Sequence, residues 1–228
     1  MRTRLLILMA ATATAGYVNA QAPALPPDIS PVTLSRFAPV TPADLDEAGQ
    51  KILAARATPA TPGPGPGAAG GYSPRTSEGR GILGRALGVP SGENFPAGNR
   101  IYQLVVLITA RDIDQQYEWS AHEPMGLRAG LEQSVIDVVK YDRPVDGLAE
   151  KDATLIRFFR ALLREHKVGS ELFAKMIAAY GKQRTVEMMD LAGDYWTVGT
   201  MMNAGDQHLP PTRQALMPPL PRDGRRVN

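Results

Sequence analysis

Glu118 and His122, in the run Gln115-Gln116-Tyr117-Glu118-Trp119-Ser120-Ala121-His122, are the residues of this 228-residue sequence best suited to chemistry. On a helix, a four-residue separation puts both side chains on one face within reach of each other. A carboxylate beside an imidazole is a general acid/base pair, because the carboxylate orients the ring and the ring titrates near physiological pH. A surface ion pair beside a packed aromatic residue would have the same spacing. A metal site is poorly supported, since two ligands are too few. Tyr117 and Trp119 are candidates to line a pocket around His122, and equally suit a helical core. Arg111 lies two turns before Glu118 and is a candidate for binding an anion. Asn203 and His208, near the end of the last predicted helix, are further candidate contacts.

Other clusters read more plainly as structure. Met188, Met189, Met201 and Met202 fall in a helix that must bury an apolar face, so packing outweighs a soft-metal site. Glu187, Asp190 and Asp194 share a face and read as solvated carboxylates rather than a cation site.

The elements that must position the pair are all helical. Thr41-Pro42-Ala43-Asp44 is a helix start, with Thr41 as cap and Pro42 at the first helical position, and predicts a helix to about Arg56. Residues 58–74, TPATPGPGPGAAGGYSP, predict a loop without regular structure. From Gly98 to His122 an apolar stripe of Ile101, Leu104, Val105, Leu107 and Ile108 predicts one long helix, which Pro124 ends or redirects. The run Val105 to Ile108 could form a strand, but the uninterrupted segment exceeds strand length. Shorter helices are predicted over 124–129 and 132–140, then over 149–166, from a Ser170 cap to Gly181, and over 184–203. With no alternating strands, the predicted fold class is all-α, a compact helical array.

Composition bounds the function. Arg2 and Arg4 before the apolar run Leu5 to Ala11, with Val18-Asn19-Ala20 as a cleavage site, predict a secretory signal over residues 1–20 and an exported, periplasmic or secreted protein. The run is too short for a bilayer span of about 20 residues. Removing it takes two of the 25 basic residues and leaves 23 against 23 acidic ones, so nucleic-acid binding has no electrostatic basis. Arg222, Arg225 and Arg226 read as a solvated tail. The domain boundaries expected are a Pro-rich lead-in over 21–40, one helical domain over 41–212 and a tail over 213–228. The sequence has no cysteine. That excludes disulfides, thiolate metal sites and thiol peroxidase chemistry.

The segments ARDIDQQYEWSAHEPMGLRAGL, over 110–131, and MMNAGDQHLPP, over 201–211, resemble the carboxymuconolactone decarboxylase family. The resemblance spans roughly residues 98–210. It implies a helical fold, trimers or larger homo-oligomers, and a lyase that needs no cofactor; separately, with the signal removed, no membrane association is expected. Such an enzyme removes carbon dioxide from a γ-lactone acid with proton transfers, which Glu118 and His122 would supply. The alkylhydroperoxidase-like members of that superfamily resemble Cys-x-x-Cys-x-x-x-His on the same helix, with a relay glutamate one long helical stretch earlier. Placing His122 on that histidine puts Gln115 and Glu118 in the two cysteine positions and Gln103 in the relay position. The other reading of such a chain is a non-catalytic binding or assembly protein on the same scaffold.

Overall fold

The computed structural model describes residues 25–55, 63–88 and 98–220. Among them, apart from an isolated Ser30–Ser35 bridge, the regular elements are helices: α1 (Glu47–Ala54), α2 (Pro66–Gly70), α3 (Pro74–Leu87), α4 (Asn99–Asp112), α5 (Gln116–Arg128), α6 (Gln133–Lys140), α7 (Glu150–Arg160), α8 (Ser170–Tyr180) and α9 (Lys182–Ala204). The all-α class is as the sequence predicts. A 3₁₀ turn at Pro42–Asp44 precedes α1, and a π-turn at Ala161–Glu165 extends α7.

Helix α4 is the hub. Every residue from Tyr102 to Arg111 is buried, because α5, α6, α7 and α9 all pack against it. A helix apolar on every side has to be interior. Leu104, Val105, Val106 and Leu107 are fully enclosed, each contributing about 1.5–3 kcal/mol on burial.

The expected long helix over 98–122 is two helices. Asp114 takes a left-handed backbone (φ 52°), and the chain turns at residues 113–115 before α5 begins. Gln115 caps α5 by accepting from the Tyr117 amide at 2.7 Å. Its amide donates to Asn203 Oδ1 at 2.8 Å, and Asn203 Nδ2 donates to the Ile113 carbonyl at 2.8 Å. The turn is thereby fastened to α9. Pro124 lies inside α5, which runs on to Arg128. It withholds one backbone donor from the Ser120 carbonyl without ending the helix.

The Gly/Pro segment is also more ordered than expected. Residues 58–62 lie outside the described part, but Pro66 starts α2, whose Ala68 and Ala69 are buried. Gly65 makes this possible: at φ 121° a Cβ would sit 2.8 Å from the Tyr117 hydroxyl, which donates to the Pro64 carbonyl at 2.9 Å. Ser170 is the first residue of α8 rather than its cap, which is Gly169. Helix α3 has no counterpart among the sequence expectations; its Arg80 pairs with Asp194 of α9 at 2.6 Å.

Residues beyond 212, set apart in the sequence as a tail, run along α5. Leu216 N–H donates to Ser120 Oγ and Met217 N–H to Gln116 Oε1, at 3.3 and 3.2 Å, and both side chains pack on the core. Arg222, Arg225 and Arg226 lie outside the described residues.

Close approach of α9 to the 113–115 turn depends on Gly199, where a Cβ would collide with Ile113 Cδ1. Gly199→Ala is therefore expected to destabilise by about 1–3 kcal/mol, the usual cost of overpacking. Thermal melting followed by circular dichroism checks this; a variant melting with the native protein would contradict the packing.

Candidate acid/base site

Within α5 the four-residue repeat creates two faces that carry different chemistry. One presents Glu118 and His122 toward α4 and α9. The other presents Trp119 and Glu123 toward α6.

On the first face, His122 Nε2 lies 3.3 Å from Glu118 Oε2, and both residues are buried, 8% and 5% exposed. The ring's other nitrogen, Nδ1, lies 2.8 Å from Gln103 Oε1 of α4. Gln103 Nε2 donates in turn to Asn99 Oδ1 at 3.2 Å. From α9, the Tyr195 hydroxyl stands 3.3 Å from His122 Nε2, its ring edge-on to the imidazole. The Tyr102 hydroxyl of α4 is 2.5 Å from that of Tyr195. Three helices thus converge on one imidazole.

Burial raises both phenols. Tyr102 is pushed up to about 12, chiefly by desolvation, with the hydrogen bond to Tyr195 opposing. Tyr195 is held well above the ordinary tyrosine value, first by desolvation and then by the charges of Tyr102 and Glu118. Both hydroxyls therefore keep their protons at neutral pH and remain hydrogen-bond donors.

On the second face, Trp119 is fully buried and its indole N–H donates to Glu123 Oε2 at 2.5 Å. Lys140 of α6 reaches Glu123 Oε1 at 2.7 Å and lies 6.0 Å from the Trp119 ring centre. Trp119 is thus held in the core by Glu123 and Lys140, away from a pocket-lining role at His122.

The remaining candidates are dispersed. Tyr117 packs with Val198, Met202 and Leu209 under the guanidinium of Arg213, 4.4 Å from its ring centre. Arg111 is fully buried and bonds to Asp114, to the Pro218 carbonyl at 2.8 Å and to the Lys140 carbonyl at 3.4 Å. The turn at 113–115 cancels the two-turn spacing that would have aligned Arg111 with Glu118. Asn203 is the fastener described above. His208 pairs with Asp206 at 3.5 Å, and its amide donates to the Leu34 carbonyl at 2.8 Å. These contacts place neither residue beside His122. Met188 and Met202 are buried in packing, and Asp194 is taken by Arg80. Among the described residues no group of three or more His, Asp or Glu is arranged to hold a metal ion.

Tyr102 and Tyr195 were missed in the sequence. Tyrosines on helices read as core, and no local spacing links Tyr195 to His122, 73 residues away, or to Tyr102, 93 away. Gln103 carries a signal only through the resemblance, which placed it at the relay position; the structure puts it against His122.

No protein-family model matches this chain, and no curated protein matches it. Among solved structures, a cysteine-to-alanine variant of the debrominase Bmp8 in complex with 2,3,4-tribromopyrrole shares the fold. The TM-score is 0.53 at 12% identity, covering 77% of this chain and 91% of that one. At that identity the likeness is one of helical architecture alone.

Two outcomes test the electrostatics. A tyrosine raised on folding stabilises the protein below its unfolded value near 10, and that contribution disappears as pH rises through the folded value of about 12. Urea midpoints should therefore fall between pH 10 and 12, and less steeply in Tyr102→Phe; parallel profiles would contradict the assignment. On the other face, Lys140→Met leaves Glu123 a buried charge without its cation and should cost about 3–5 kcal/mol. Adding Glu123→Leu should recover much of the loss in the same urea titration.

Proposed function

We propose that this chain is an exported, carboxymuconolactone decarboxylase-like protein that acts as a cofactor-independent lyase on a small carboxylated or lactone substrate. Glu118 and His122 are its acid/base pair. The observation that carries this reading is the buried contact of 3.3 Å between Glu118 Oε2 and His122 Nε2. A buried carboxylate–imidazole pair does little for stability, since desolvation offsets its attraction, and apolar residues of similar size would serve the fold as well. A carboxylate and an imidazole in contact are a pair between which a proton can pass.

The chemistry asked of the pair is modest. In decarboxylation of a γ-lactone acid, the bond to the carboxylate carbon breaks and carbon dioxide leaves. The electron pair moves into the ring, shifting the double bond, and the protonated member of the pair delivers a proton to the far carbon. Two groups able to share a proton supply that transfer. Homo-oligomers of trimeric or higher order go with the same reading.

Fold likeness to a debrominase adds brominated pyrroles to the compounds worth testing. With no cysteine in this chain, any chemistry on them cannot use a thiol. The burial of both residues also suits the second reading, a binding or assembly protein that keeps the scaffold without turnover.

Mature protein, residues 21–228, assayed for carbon dioxide release from a panel of γ-lactone carboxylic acids and for loss of 2,3,4-tribromopyrrole, separates the two. Turnover of a panel member should fall on the order of 10²-fold or more in His122→Ala with the helical circular dichroism intact. Equal turnover in the variant would overturn the assignment, and a panel wholly untouched would favour the non-catalytic scaffold.

A further inference from the structure

We infer that Gln103 is a positioning residue that fixes the neutral His122 ring as its Nδ1–H tautomer, leaving Nε2 as the working nitrogen with Tyr195 as its proton partner. The inference deepens the acid/base reading above and rests on it for its functional meaning.

The orientation of one amide sets the tautomer. Gln103 has a single acceptor oxygen and a single donor nitrogen. Its nitrogen is engaged by Asn99 Oδ1 at 3.2 Å, so its oxygen faces His122 Nδ1 at 2.8 Å. A carbonyl oxygen can only accept, so the proton between them sits on Nδ1. In a neutral ring the other nitrogen is then a bare lone pair.

What faces that lone pair decides its use. Tyr195 Oη and Glu118 Oε2 each stand 3.3 Å from Nε2. A phenol can give its proton to a lone pair, whereas an ionised carboxylate cannot. Tyr195 is therefore the donor to Nε2 when the ring is neutral, and Glu118 becomes the acceptor once Nε2 has taken a proton. With the Tyr102 hydroxyl, 2.5 Å from that of Tyr195, as donor to the Tyr195 oxygen, the Tyr195 proton is left to point at the ring; the reverse direction would spend that proton on Tyr102. Hydroxyls linked in this way polarise one another, which strengthens the last donor.

The arrangement assigns distinct roles. His122 Nε2 takes a proton and passes it on, Glu118 receives the N–H that results, and Gln103 keeps the ring from rotating or switching tautomer. A ring that switched would turn a donor toward Tyr195 and lose its basic nitrogen at the working face.

Nitrogen-15 NMR of the full mature protein with labelled histidine reads the tautomer directly. At a pH where the ring is neutral, the His122 signals, assigned by their loss in His122→Gln, should show a protonated Nδ1 and a bare Nε2. A protonated Nε2 beside a bare Nδ1 would overturn the inference in the native protein alone. Gln103→Leu should release the ring to a mixture of tautomers, whereas Gln103→Glu, which keeps an acceptor at the same place, should restore the single Nδ1–H form. A single tautomer in Gln103→Leu would contradict the positioning role. Tyr195→Phe should shift the Nε2 signal alone, and an unmoved Nε2 would remove Tyr195 from the proposal. The assigned tautomer in a protein that turns over nothing would leave this inference standing and defeat the acid/base function. The opposite tautomer in an active enzyme would do the reverse.

Discussion

Helix α4 has no face that water can be allowed to touch, and the rest of the molecule is arranged around that constraint. Ten consecutive buried residues, Tyr102 to Arg111, demand covers from several directions, and α5, α6, α7 and α9 provide them. The polar side chains on α4 are consequently forced inward. Each then needs a partner in the interior, because an unpaired buried polar group costs on the order of 1–3 kcal/mol. Gln103 finds Asn99 and His122, Tyr102 finds Tyr195, and Arg100 at the helix start grips Asp152 with two bonds at 2.9 and 2.7 Å. The candidate site is thus assembled from groups that the central helix must satisfy.

Helix α5 turns this constraint into two polar clusters of different character. Glu123, Lys140 and Trp119 form a strongly tethered unit, with a short charge-assisted contact at 2.7 Å and the indole filling the core. Glu118, His122 and Tyr195 are held by longer contacts of 3.3 Å, weaker than a hydrogen bond of optimal length. The first cluster suits fixing α6 against α5. The second is the looser of the two, and the 2.8 Å contact between His122 Nδ1 and Gln103 Oε1 restrains the ring.

Legibility in the sequence followed the range of the interactions. The thick apolar stripe of α4 was readable because period and length are local properties, and the Glu118–His122 spacing survived because both residues lie within one unbroken helix. Arg111 was misplaced because the break between α4 and α5 contains no glycine or proline; Asp114 adopts the left-handed turn instead, a conformation tolerated by aspartate. Pro124, expected to end or redirect the helix, lies inside α5, where it removes one backbone donor while the helix runs on to Arg128. The Gly/Pro segment was under-read, since the helix α2 is held by contacts with Tyr117 and α9 that arise only in the folded state. Tyr102 and Tyr195 reach the site, and Lys140 the opposite face of α5, from other helices, so they left no local signature.

The central claim is that Glu118 and His122 act as one coupled unit inside the fold. A double-mutant cycle built from Glu118→Gln, His122→Gln and the double variant, measured by urea unfolding at neutral pH, tests it directly. A coupling free energy of about 1 kcal/mol or more is expected, because the two groups touch and share surroundings. Effects that add to within about 0.3 kcal/mol would contradict it, showing two neighbours that are energetically independent.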